Sequence, residues 1–218
     1  RSCLVGSEMC IRDRDKINFG IGGRHWSRSQ VLKSNIFWFA FPGLLGLPAF
    51  GTVLFFQQVN YAALKGWDHL SMVKAYPLFT IMAVGVSFLS GSLIDRYGAT
   101  KLIGFYQIPA VFGFYIFSIC ETVMGFSIGL ILFAITAGSN NIIPNAFWAE
   151  CFGTSHLGRI KSLAAGIMVI GSALGPLISG VLIDLDFNLN SQYILFATYF
   201  ILSSILLFMC TRKILVNY

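Results

Sequence analysis

Residues 160–183 read IKSLAAGIMVIGSALGPLISGVLI. One charge, Lys161, stands near the start, and every later residue is apolar, small or hydroxyl-bearing. A helix needs about 20 such residues to cross the hydrocarbon core of a bilayer, and this run supplies them. Pro176 would break a helix in water, because it lacks an N–H and crowds the preceding turn. In a membrane bundle neighbouring helices satisfy the freed carbonyl, and kinked spans are tolerated. The segment therefore reads as a kinked membrane span.

Five further stretches share the pattern: Asn35 to Leu64, Leu70 to Ile94, Leu102 to Cys120, Val123 to Ala149, and Tyr193 to Cys210. Pro42, Pro48, Pro77, Pro109, Pro144 and Pro176 all fall inside the six stretches. Composition agrees. Of the 218 residues 56% are hydrophobic and only 11% charged, with a mean hydropathy of +0.74. A soluble domain carries about 25% charged residues, so too few remain here to cover a water-facing surface. The formal charge of +6 sits in short connections, which is a topology signal and not a nucleic-acid groove. The five cysteines are scattered, with neither a zinc spacing nor a disulfide framework. No cofactor or metal is expected.

Lys and Arg in the connections set the orientation. Lys16, Arg24, Arg28, Lys33, Arg96, Lys101, Arg159, Lys161, Arg212 and Lys213 fall on one side, against only Lys65 and Lys74 on the other. Both ends are expected on the cytoplasmic side of a plasma (inner) membrane. Trp38 and Trp148 then fall near the cytoplasmic boundary and Trp67 near the outer one. Residues 1–14 (RSCLVGSEMCIRDR) resemble a translated adapter sequence and are set aside as a non-native leader. Residues 15–34 read as a cytoplasmic loop remnant, and 35–218 as the six-helix domain.

Small residues suggest where helices meet. Gly171 and Gly175, followed by Pro176 and Gly180, allow close backbone approach, as do Gly125 and Gly129. A compact charged motif joins the second and third stretches: Gly91-Ser-Leu-Ile-Asp95-Arg96-Tyr-Gly98-Ala-Thr-Lys101. It resembles the loop G-x-L-x-D-R-x-G-x-x-K of the major facilitator superfamily, with Ala99 and Thr100 where a second basic residue is usual. The segment from Asn145 to Glu150, continued by the loop to Arg159, resembles a later connection of the same family. The resemblance implies an all-α membrane protein of six transmembrane helices, half of a twelve-helix bundle. It also implies a cytoplasmic gate of Asp95, Arg96, Glu150 and Arg159 with Gly91, Gly98 and Lys101. The bland reading of those charges is a solvated interface. Two matching endings, Gly91 to Asp95 and Gly180 to Asp184 (both G-x-L-I-D), fit a three-plus-three inverted repeat.

Polar groups within a span often mark a solute path. Asn140 and Asn141, mid-span, are candidate substrate contacts, with Gln57, Gln58 and Tyr76 towards the outer end. Interhelical hydrogen bonding is the alternative for the asparagines. Because neighbours differ by about 100° around a helix, one of the two is expected to face the cavity. The implied activity is secondary transport of a small solute by alternating access, with a receptor or scaffold on the same fold as the alternative. An enzyme is disfavoured, since no nucleophile has a plausible partner and no Gly-rich phosphate loop is present. The implied partners are a missing N-terminal six-helix half, the lipid bilayer and a small molecule.

Overall fold

The computed structural model describes residues 19–217. The 1–14 leader, with Cys3 and Cys10, lies outside the described residues, as does Lys16. The described chain is helical: α1 (Arg28–Lys33), α2 (Asn35–Phe56), α3 (Gln58–Lys65), α4 (His69–Val73), α5 (Tyr76–Tyr97), α6 (Ala99–Leu102), α7 (Ile108–Ile119), α8 (Val123–Asn140), α9 (Ile143–Phe152), α10 (Leu157–Asp184) and α11 (Leu189–Asn217).

Proline chemistry explains many of these boundaries. Pro77, Pro109 and Pro144 stand in the first turns of α5, α7 and α9, where a missing N–H costs nothing. Pro42, Pro48 and Pro176 instead lie within α2 and α10. Five segments are long and apolar enough to cross a membrane: 35–56, 69–97, 123–152, 157–184 and 189–214. The expected sixth, Leu102 to Cys120, is not among them. Residues 103–107 form turns and Pro109 starts a new helix, so α7 keeps only Ile108–Ile119. That is about 18 Å of rise, short of a core roughly 30 Å thick. The first expected span also divides, at Gln57, into α2 and α3.

The long helices pack in a definite order. α10 lies on α2, α2 on α11, α11 on α7, α7 on α8, and α8 on α5. α5 and α10 thus stand at the two ends of the series and are the least covered, with 6% and 22% of their apolar windows buried. The ends approach each other through α9, which continues α8 and meets α10. Two apolar cores fill the interior, one around Phe114, Phe117, Phe133 and Tyr193, the other around Phe37, Phe147, Trp148 and Phe152. Trp148 is 2% exposed and packs as core. Gln107, fully buried, joins three helices. Its amide donates to the Gly43 carbonyl (2.7 Å) and accepts from the Ser203 hydroxyl (2.7 Å).

The segment before α1 is more than a loop remnant. Ile21 and Trp26 donate backbone N–H groups to the carbonyls of Cys151 (2.9 Å) and Phe152 (3.1 Å). Those carbonyls end α9 and have no partner within their own helix. Gly20 fits between because a side chain there would overlap the Cys151–Gly153 backbone.

The α10–α2 contact rests on Gly171 and Gly175. A Cβ at Gly171 would stand 3.0 Å from the Leu45 carbonyl oxygen, and one at Gly175 would overlap the Ala49 backbone. Gly180, grouped with them on sequence, meets nothing within 4 Å. Five residues beyond Gly175 the helix has turned about 140° out of that face, so Gly180 makes no close packing within the described bundle. Gly175→Ala should therefore destabilise the bundle by about 1–3 kcal/mol, because backbone cannot yield to the added methyl. Gly180→Ala should be neutral or favourable by up to about 1 kcal/mol. Unfolding of the two variants in SDS-titrated mixed micelles checks the pair.

Candidate functional site

Two places collect the polar residues singled out on sequence. At the first, α5 ends at Tyr97, and Gly98, at φ 81°, redirects the chain into α6. L side chains are strained at that φ, which explains the glycine. The Glu150 carboxylate reaches this turn from α9. It accepts from the Ala99 N–H (2.7 Å), the Thr100 N–H (2.8 Å) and the Thr100 hydroxyl (2.7 Å). An acceptor-only group thus satisfies the first free donors of α6. Thr100, which stands where a basic residue is usual, supplies one of the three bonds through its side chain.

The expected cluster of opposite charges is arranged differently. Asp95, Arg96, Lys101 and Arg159 are exposed, and among the described residues the ion pair within 4 Å is Lys65 with Glu121 at 3.0 Å. Arg96 lies over the ring of Tyr97 at 5.3 Å. The physical reason is local: backbone donors sit closer to Glu150 than any guanidinium, and exposed arginines gain as much from water. Gly91 has open space where a Cβ would project.

The second place is the break between α8 and α9. Pro144 has no N–H to return to the Asn140 carbonyl four residues back, and the helix is interrupted at residues 141–142. Asn140 is 7% exposed and its side-chain oxygen has no partner, whereas Asn141 is exposed. Both nonetheless line one cavity of about 240 Å³, together with Asn145, Trp148, Lys161 and Met168. The rule of 100° per residue does not separate them, because the helix stops between them. Asn145 is held in place by donating to the Asn141 carbonyl at 2.8 Å.

Sequence reasoning missed Asn145 and Lys161 as cavity residues. The signal was present: Asn145 follows Asn141 by one helical turn, and Lys161, Ala164, Ala165 and Met168 recur at helical spacing. Gln57, Gln58 and Tyr76 lie apart from this cavity. Gln57 sits in the α2–α3 break, and the Gln58 carboxamide oxygen and Tyr76 hydroxyl are buried without partners.

A bundle of apolar helices with a cavity partly lined by polar side chains at an interrupted span is the build of an integral membrane protein. The sequence profile of the Major Facilitator Superfamily matches residues 11–176, and the chain belongs to that family of membrane transporters. It is also similar to the agnestins efflux protein AgnL12 of Paecilomyces divaricatus, 30% identical over 141 residues, or 64% of this chain. The matched region spans 31% of that relative's length.

Replacing Glu150 by Ala should strip the cap from Ala99 and Thr100. Amide hydrogen exchange at those two positions should rise roughly tenfold or more, in line with about 1.5–3 kcal/mol for hydrogen bonds to a charged acceptor, while α2 and α11 exchange unchanged. Glu150→Gln, which keeps an acceptor but not the charge, should fall between.

Proposed function

We propose that this chain is the C-terminal half of a secondary transporter that moves a small solute by alternating access. The observation that carries the reading is the cavity at the α8–α9 break, where an interrupted span brings polar side chains to an otherwise apolar interior. Irregular backbone at membrane depth is tolerated where it is buried in protein or lines a water-filled cavity. The neighbour order supports a three-plus-three inverted repeat. Exchanging α2, α5 and α7 for α8–α9, α10 and α11 leaves the contacts α10–α2/α8–α5, α2–α11/α8–α7 and α11–α7 unchanged. The Glu150 clasp acts as the gate tie at the cytoplasmic end, and the charge distribution favours both chain ends there, at the plasma membrane. The name of the similar efflux protein favours outward transport.

A second six-helix half would cover α5 and α10, the two open ends of the series. Asn140 contacts the solute and Asn141 stands at the cavity mouth. Gln57, Gln58 and Tyr76 serve the outer approach.

The test uses the full-length protein, with six further apolar spans expected upstream of Asp15. A cysteine introduced at Ala165, an exposed residue of the cavity wall, is probed with a membrane-impermeant maleimide in oriented vesicles. Alternating access predicts labelling from either face, and Glu150→Ala should raise the rate from the cytoplasmic face several-fold. Labelling from one face only, unaltered by Glu150→Ala, would point to a receptor or scaffold.

A further inference from the structure

We infer that the cavity at the α8–α9 break takes an amphipathic organic anion, with Lys161 as its charge partner; this rests on the transport reading above and names its substrate class. Lys161 is the one charged residue in the lining, and no carboxylate lines the cavity. It is half-buried on the first turns of α10 and has no acidic partner within 4 Å among the described residues. Glu150, the acid on the neighbouring helix α9, is already committed to Ala99 and Thr100. An ammonium group beside low-dielectric walls is attracted strongly to an anion and repels a cation.

The rest of the lining completes the selection. Asn140 is more than nine-tenths buried, and its carboxamide oxygen has no partner. That oxygen is enclosed by protein, and a half-turn about the last torsion exchanges it with the NH2 end, so the group can offer either a donor or an acceptor to the ligand. Leaving such a group unpaired is costly, which favours a ligand that engages it. Leu44, Trp148, Ala164 and Met168 supply an apolar wall, suited to a hydrocarbon or aromatic body. A bare inorganic anion would leave that wall unused, and a cationic amphiphile would face Lys161. The volume of about 240 Å³ falls below the roughly 300–1,000 Å³ of complete ligand pockets, as one wall of a shared site should.

Calorimetric titration of the detergent-purified full-length protein tests this, with benzenesulfonate and its neutral near-isostere benzenesulfonamide as probes. Wild type should bind the sulfonate roughly tenfold or more tightly than the sulfonamide, the worth of one charge-assisted hydrogen bond. Lys161→Gln should abolish that preference and Lys161→Arg should restore most of it. The Arg variant also separates loss of charge from loss of fold. Equal affinity for the two probes in wild type, or a preference surviving in Lys161→Gln, overturns the assignment, as does binding of neither probe. Such failures leave the transport reading intact if the Ala165→Cys variant is still labelled from both faces. One-faced labelling removes that reading, whatever the probes do.

Discussion

In hydrocarbon no water is available to a bare N–H or C=O, so each backbone group must find a partner within the protein. That constraint runs through this structure. Regular helix meets it for most of the chain, and the remaining sites are those where a helix stops. The same pairing extends to helix ends at the bundle's edge: where α9 ends, N–H groups of Ile21 and Trp26 come to its last carbonyls; where α6 begins, the Glu150 carboxylate comes to its first amides. The Gln107 carboxamide bridges α2 and α11 from the turn before α7. Among side chains the accounting is less complete: the Asn140 oxygen at the α8–α9 break has no partner, nor do the Thr136, Tyr193 and Ser204 hydroxyls.

Much of the fold was legible because bilayer thickness and hydropathy are one-dimensional constraints. Five of the six spans could be located from apolar run length alone, and the packing of Gly171 and Gly175 followed from their spacing. What sequence could not resolve was the role of each proline. The same residue type opens a helix at Pro77, Pro109 and Pro144 and lies within one at Pro48 and Pro176; at Pro176 the Thr52 hydroxyl of α2 donates to the freed Ser172 carbonyl at 3.2 Å. The shortness of α7 and the shared cavity of Asn140 and Asn141 both follow from that choice. The Glu150 partner was hidden for a related reason. Backbone amides carry no signature in a sequence, so side-chain charges stood out while the N–H groups of residues 99 and 100 did not.

The linear neighbour order also divides the helices by environment. α7 and α11 are covered on both sides and carry the buried aromatics that fix the interior, among them Phe114, Phe117, Tyr193 and Phe200. α5 and α10 are covered on one side and present Ile81, Phe88, Leu89, Val169, Leu177 and Ile178 outward. Apolar residues of that kind serve lipid and a partner helix equally well, so their identity specifies membrane depth more than any particular contact. Specificity at these helices comes instead from shape, through the small residues that admit a facing backbone.

The Glu150 clasp has a consequence for how this region tolerates change over generations. Two of its three donors are peptide N–H groups, which every residue except proline provides. As far as the hydrogen bonds are concerned, any residue but proline serves at position 99, where burial in the apolar core still requires a small side chain, and position 100 is nearly free, at the cost of one hydroxyl. The acid at position 150 and the glycine at position 98 have no such freedom. Variation should accordingly be lopsided across this contact, with position 150 fixed and position 100 permissive, and a pair of covarying side chains would be the wrong signature by which to find it.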